Sequence, residues 1–486
     1  MTATAPRVQP AHRTEILRLP ALREYQLPVL TSPARDDLTI SAPQLGKTTV
    51  GEAWLLAVAW RGGPGEIPWS WFAPTHGQCE HGFKGLAAMA RSAGILRGEP
   101  TTTPPFRLTL KNGAQIQARS WDRPELLYGP PTRGGVVDEF GQLTPDAYAV
   151  ISSRRAETIS RGEGRLVYLG NVGDVGGTAE SLYRAAESGA AGFACRRWTW
   201  RDRASAHACR CGAKRSAIPV ALETVDGHRP DCGRGQYVRF IARERSRLSA
   251  SEFRRLYEAE WLDGTSLPAY EAFDRSTHVV ERVALQAGLP LILSCDFNVD
   301  PMAWVVMQHH QHEAWIIDEL VIAGGATTER ACKEFIRRYP DKTLEVVVYG
   351  DSSGRARKTS ATATDYEIIR SELGKYYHRL SVRESDSNPP VSERVAKVNA
   401  FLRSADGAVK LHIHPRCKFL VRDFSRVSWR PGTREIDKRD KSLTHFSDAA
   451  GYALWRLGQS STGGIRGGQW RPSIWTRHPN PAFEAF

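Results

Sequence analysis

Along the first half of the chain, short apolar runs alternate with longer segments whose apolar residues recur at helical spacing. "DLTISA" at residues 37–42 reads as a short buried strand. The following "TVGEAWLLAVAW" predicts a helix with an apolar stripe through Val50, Trp54, Leu55 and Val58. "WFAPT" (71–75), "GGVVDEF" (134–140) and "RLVYLGNVG" (165–173) repeat the theme of an apolar strand closed by a polar turn. Strands separated by helices predict a parallel α/β sheet with ligands at the carboxyl ends of its strands. Near residue 286 the pattern restarts. "LPLILSCDFNVDPMAWVVMQ" predicts two apolar strands joined by a turn, with Asp296 at the centre of the first. "LEVVVYGDSSG" predicts a further strand ending at Asp351, and "LTHFSDAAGYALWRL" a helix with Asp448 at its start.

Composition sharpens this picture. A chain of 486 residues is too long for one ordinary core, so two domains with appendages are expected. The 41% hydrophobic content is that of a globular protein. No apolar run reaches the roughly 20 residues of a membrane span. "MTATAPRVQPAHRTE" has no apolar core, so no export signal is expected. The 66 Lys and Arg residues exceed the 53 Asp and Glu residues by 13, which favours a polyanionic partner. Eight cysteines in a chain of this size do not suggest a disulfide scaffold and fit a reducing cytoplasm.

"SAPQLGKTT" at 41–49 then acquires a meaning. Between a strand and a helix, Gly46-Lys47-Thr48 closes a phosphate-binding loop, although Ser41 stands where the usual pattern has glycine. In that role Lys47 would bind β- and γ-phosphates and Thr48 would ligate Mg²⁺. Asp138 and Glu139 follow at a strand end, the first suited to hold Mg²⁺ through water and the second to act as general base. Asn171, at another strand end, is placed to sense a γ-phosphate. In "REYQ" (23–26), Tyr25 can pack on adenine and Gln26 can read its edge, unless both are ordinary helix surface.

In the second half, Asp296, Asp351 and Asp448 lie on separate segments that converge in an RNase H-like fold, whose opening hairpin the 289–308 stretch resembles. Three carboxylates together repel unless cations neutralise them. Two divalent ions about 4 Å apart would do so and would activate a water against a phosphodiester. The bland alternatives are a helix cap for Asp448, a turn for Asp351, and Asp300 instead of Asp296 in the hairpin. His445 either assists metal or phosphate binding or is a surface histidine. Cys209, Cys211, His228 and Cys232 form a Cys-x-Cys…His-x-x-x-Cys set adequate for a structural Zn²⁺, with His207 as substitute; a free-thiol loop is the alternative. Arg394, Lys397 and Lys438 are phosphate-contact candidates on basic segments that can equally be solvated faces.

The ordered set "REYQ", "SAPQLGKTT", "WFAPT", "VVDEF", "LGNVG", "LSASEFRRLYEAEW", "CDFNVDP", "VVYGDSS" and "LTHFSDAAGY" resembles the large subunit of tailed-bacteriophage terminases, from about Leu22 to Leu457. The resemblance implies a P-loop ATPase core at 1–194 and an arginine-rich lid or linker at 195–285. It implies an RNase H-like nuclease domain at 286–458 and a flexible tail at 459–486. It implies an ATPase that packages double-stranded viral DNA into a procapsid. Lys47, Thr48, Asp138 and Glu139 would run hydrolysis, with Gln44 and Gly46 in the loop, and Asn171 would couple hydrolysis to movement. Asp296, Asp351 and Asp448 would cut DNA with Mg²⁺ or Mn²⁺. Implied partners are the portal protein, a small terminase subunit and further copies in a ring, all in the host cytoplasm, with no membrane. Two departures stand out: many relatives carry an arginine inside the loop, where this chain has Pro43-Gln44-Leu45, and a leucine-arginine-glycine reads "LYG" here, with Tyr128 for arginine. Arg123 and Arg133 are nearby candidates for the missing charge. A helicase would show a second motor core after residue 286, and none is seen. A nucleotide-dependent scaffold without catalysis is the reading from another class.

Overall fold

The computed structural model describes residues 17–129, 131–212, 227–262, 268–281, 283–297, 301–322, 324–356, 363–430 and 433–460. Asp300 and the tail beyond residue 460 lie outside the described residues. The chain forms two compact units: the first runs to Gly173 and includes Gly177–Asp202, the second holds Asp174–Gly176 and continues from Arg203. Among the described residues no helix is long and apolar enough to cross a membrane.

The first unit is built on eight strands: β1 (Asp36–Ser41), β2 (Trp69–Ala73), β3 (Leu96–Thr101), β4 (Phe106–Leu110), β5 (Gln115–Ser120), β6 (Gly134–Asp138), β7 (Arg165–Gly170) and β8 (Phe193–Trp198). They lie in the order β3-β4-β5-β2-β6-β7-β1-β8. All pairings from β5 to β8 are parallel, while β3 and β4 add an antiparallel edge. β1, β2 and β6 are buried throughout; in β1 that burial includes Asp36 and Asp37, which are paired with Arg155 and Arg196. β6 runs so close to β2 that a Cβ on Gly135 would overlap the Ser70 carbonyl oxygen. Helix Lys47–Gly62 buries Val50, Trp54, Leu55 and Leu56 on the sheet. The strand ends β1, β6 and β7 consequently share one rim.

The second unit contains β9 (Leu291–Asp296), β10 (Met302–His310), β11 (Glu313–Ile322), β12 (Glu345–Gly350), β13 (Arg379–Val382) and β14 (Leu411–Ile413), ordered β13-β12-β9-β10-β11-β14. β9, β10 and β11 form an antiparallel meander, and β12 and β13 continue the sheet in parallel. This is the RNase H-like arrangement expected from the hairpin, extended at its edge by β14. Asp296 closes β9 rather than occupying its centre. Helix His445–Ser460 packs against β9, and the Ser294 hydroxyl donates to the Ala449 carbonyl at 2.6 Å. That bond holds the first turn of the helix over the carboxyl half of β9.

Candidate functional site

The loop after β1 needs no glycine at position 41. Its left-handed backbone falls at Gln44 (φ 60°) and Gly46 (φ 80°), while Ser41 is buried and donates its hydroxyl to the Ala42 carbonyl at 2.8 Å. Gly46 directly precedes the helix that begins at Lys47, and Thr48 is in its first turn. Tyr25 and Gln26 brace this loop instead of standing open. The Tyr25 hydroxyl donates to the Leu45 carbonyl at 2.9 Å, and the Gln26 amide donates to the Leu45 and Gly46 carbonyls at 3.0 and 3.2 Å. The Arg23 N–H donates to the Gln26 side-chain oxygen at 2.8 Å, so the amide expected to read a base is committed to the loop.

Lys47 is buried, and its Nζ donates to the Asn171 side-chain oxygen at 2.6 Å. The expected phosphate binder and the expected coupling residue are therefore in direct contact across β1 and β7. Burial lowers the Lys47 pKa, opposed by the nearby Glu139 and Asp138. Asp138 ends β6 and is pushed up to about 7, first by burial and then by Glu139. Glu139 adopts a left-handed backbone (φ 54°), and its N–H donates to the Asp138 carboxylate at 3.1 Å. Sequence reasoning missed Glu52, an acid in the buried face of the helix, pushed up to about 8 by burial and by Asp138. An acid inside the otherwise apolar "TVGEAWLLAVAW" was the available signal.

The two arginines near the "LYG" departure differ. Arg133 is buried, bonded to Glu163 at 2.5 Å and to the Gly62 and Gly63 carbonyls at 3.0 Å, with its guanidinium 5.3 Å from the Trp69 ring centroid. It staples the fold and is not presented to a neighbouring phosphate. Arg123 is exposed, as is Tyr128, over which Arg154 stacks at 5.5 Å.

In the second unit, β9 and β12 carry their acids to adjacent strand ends. Gly350 pairs with Cys295, and the Asp351 N–H donates to the Cys295 carbonyl at 3.3 Å, so Asp351 follows its strand as Asp296 ends the neighbouring one. Both are buried. Burial raises the Asp351 pKa, countered by the Ser353 hydroxyl that donates to it at 2.8 Å. Burial also raises Asp448, with Arg394 pulling it down and Asp296 pushing it up. Burial raises the Tyr452 hydroxyl pKa, opposed by Arg394 and reinforced by Asp448, Asp351 and Asp296, so all three acids lie within electrostatic reach of this one side chain.

Asp448 does not cap its helix. Asp423 does, accepting from the Phe446 and Ser447 N–H groups at 3.0 and 3.1 Å. Asp448 instead accepts from Arg394 at 2.6 Å. Arg394, expected as a phosphate contact on an exposed face, is buried, and its guanidinium lies 4.5 Å from the Tyr452 ring centroid. Lys397 is half-buried along Gly458, and only Lys438 of the three cations is exposed. His445 approaches the Asp296 carboxylate at 3.3 Å, which raises its pKa. It is thus tied to the acids. Cys209, Cys211, His228 and Cys232 also converge in this unit, with their ligand atoms within 4.8 Å of one another.

Comparison with solved structures places the fold in a known architecture. The chain is similar to the large terminase of a thermophilic bacteriophage, at 14% identity and a TM-score of 0.50, over 90% of this chain and 99% of that one. The same terminase in complex with ADP matches at 14% identity and a TM-score of 0.50, over 91% of this chain and 100% of that one. In complex with ATP-gamma-S it matches at 15% identity and 0.50, over 89% and 98%. No protein-family model matches the sequence, and no curated protein does. With its P-loop-type sheet and its RNase H-like sheet, the chain has the fold of a phage large terminase.

Proposed function

We infer that this chain is a DNA-packaging enzyme: its first unit hydrolyses ATP to translocate double-stranded viral DNA into a procapsid, and its second cleaves that DNA. The observation that carries this reading is the presence of both charge constellations on one chain. Buried Lys47 is bonded to Asn171 close to Asp138 and Glu139 at one strand rim; in the other unit Asp296 and Asp351 end neighbouring strands, and His445, three residues before Asp448, reaches Asp296.

In the ATPase, Lys47 exchanges its Asn171 partner for the β- and γ-phosphates, and the loop amides after Ser41 face the same anion. Thr48 and Asp138 fit magnesium, since the raised Asp138 is a buried acid short of positive charge. Glu139 orients the attacking water and takes its proton. Asn171, released from Lys47, reports the γ-phosphate to the end of β7. Arg123 is the exposed candidate for stabilising phosphoryl charge.

In the nuclease, Asp296, Asp351 and Asp448 fit a pair of Mg²⁺ or Mn²⁺ ions, because Asp296 and Asp351 end neighbouring strands as buried carboxylates, and burial raises both Asp351 and Asp448, the latter further through Asp296. Bound divalent ions supply charge neutralisation and a more acidic water. Arg394 holds Asp448 in place, and His445 holds Asp296. Lys438 and Lys397 are the remaining phosphate-contact candidates, and salt-sensitive, sequence-tolerant binding is expected of them. The portal, a small subunit and a homo-oligomeric ring in the host cytoplasm complete the proposal.

The test is plasmid cleavage with Mg²⁺ or Mn²⁺ by wild type and Asp296→Ala, with ATPase activity measured on the same samples and on Lys47→Ala. Cleavage lost with ATPase retained in Asp296→Ala, and the converse in Lys47→Ala, is the expected pattern. An inert wild type in both assays would leave a DNA-binding scaffold. Unchanged cleavage in Asp296→Ala would sink the site assignment.

A further inference from the structure

The cysteine-histidine cluster belongs to neither constellation. Sγ of Cys209, Cys211 and Cys232 lies 3.9, 3.5 and 3.6 Å from Nδ1 of His228. A tetrahedral zinc with sulfur at about 2.3 Å and nitrogen at about 2.0 Å has sulfur–nitrogen edges of about 3.5 Å. The three observed edges lie close to that value. A disulfide would instead draw two sulfurs to about 2.05 Å and leave the third and the imidazole without a purpose. All eight cysteines are free thiols.

The backbone around the cluster is arranged for thiolates. The Arg229 N–H donates to Cys211 Sγ at 3.2 Å, and the Gly235 N–H donates to Cys232 Sγ at 3.4 Å. Such outer hydrogen bonds orient metal ligands and temper their charge. A Cβ on Gly235 would overlap the His228 side chain, so glycine there lets the helix Gly233–Arg247 start against the imidazole. His207, the alternative ligand, is not among the four converging side chains: it lies alongside Gly233, with its ring 5.6 Å from that of Tyr237.

The geometry points to a structural zinc site formed by Cys209, Cys211, His228 and Cys232. Zinc binding displaces three thiol protons and uses the neutral imidazole, giving a Cys₃His centre of net charge −1. Four protein ligands complete the tetrahedron and leave no place for a reacting water. The ion ties the Cys209–Cys211 strand of chain to the N-terminus of the helix Gly233–Arg247, with Cys232 serving as both ligand and helix cap. It anchors the start of an arginine-rich helix without touching phosphate or nucleotide.

The full chain, purified under reducing conditions without chelator, should carry one zinc per chain by elemental mass spectrometry. Replacing zinc with Co²⁺ should produce thiolate-to-cobalt charge-transfer absorption and the visible bands of a tetrahedral centre. Cys211→Ser and His228→Ala should lose the bound metal, while His207→Ala should keep it. Wild-type protein that is metal-free as purified and takes up neither zinc nor cobalt after reduction would overturn the site. Loss of metal in His207→Ala with retention in His228→Ala would overturn the ligand assignment. The wild-type cobalt spectrum decides the matter even where a cysteine variant fails to fold.

Discussion

Replacing Arg394 with Met should destabilise the second unit by about 3–4 kcal/mol at neutral pH without metal. The guanidinium is buried and bonded to Asp448 at 2.6 Å, and the Asp448 side chain keeps 24% exposure. Removing one partner of a buried pair costs about 3–5 kcal/mol, and the remaining hydration of Asp448 places this case at the low end. Loss of the contact with the Tyr452 ring, 4.5 Å away, adds about 1 kcal/mol. For a unit of this size, each kcal/mol moves the melting temperature by about 2–4 °C, so calorimetry should show the second unit melting roughly 6–16 °C lower. Most of the penalty is an uncompensated Asp448 beside Asp296, so Asp448→Asn in the same chain should recover about 2 kcal/mol or more. Millimolar Mn²⁺ should recover part of it in Arg394→Met alone. A variant within about 0.5 kcal/mol of wild type, or one whose loss is undiminished in the Asp448→Asn background, would refute the argument.

Asp423 is fully buried and pushed up to about 6 by that burial, while in the unfolded chain it titrates near 3.9. Between those values the folded state holds a proton that the unfolded state has lost. This group's stabilisation therefore falls as pH rises from about 4 to about 6, on the order of 2–3 kcal/mol, and is constant above that. Urea unfolding across pH 4–8 should show that this decline is missing in Asp423→Asn; an identical pH profile in the variant would contradict the assignment. Gly135→Ala should destabilise the first unit by about 2–3 kcal/mol, because the new methyl meets the Ser70 carbonyl and β2 and β6 must separate. An alanine variant with unchanged melting and ATPase activity would show that the strands adjust without cost.

The strand tips that carry Lys47, Asp138, Asn171, Asp351 and Asp296 were legible because buried parallel strands write themselves as apolar runs bounded by polar turns. The antiparallel edge formed by β3 and β4 was not, since β3 is largely exposed and its polar residues resemble a loop. Local pattern also could not reveal commitments made at a distance. Arg394 lies on a helix rich in charge, but its partner is 54 residues away, so only the fold shows that it is buried. Gln26 reads equally well as a base reader or a loop brace until Leu45 and Gly46 are brought beside it. A helix cap stayed open as the alternative for Asp448 because nothing in its own segment announces that Asp423 already fills that role. Ser41 seemed a departure, but the backbone at that position never needed a glycine.

The left-handed backbone of Glu139 has a consequence for how this chain would respond to selection. A glutamate in that conformation costs about 1–2 kcal/mol relative to glycine, and asparagine tolerates it better as well. A laboratory library at position 139, sorted for heat resistance alone, would therefore enrich Gly and Asn, and on the role proposed for Glu139 those sturdier chains would no longer turn over nucleotide. Sorted for turnover, the same library would return glutamate together with its conformational strain. Position 139 is thus a place where ruggedness and chemistry cannot be improved together.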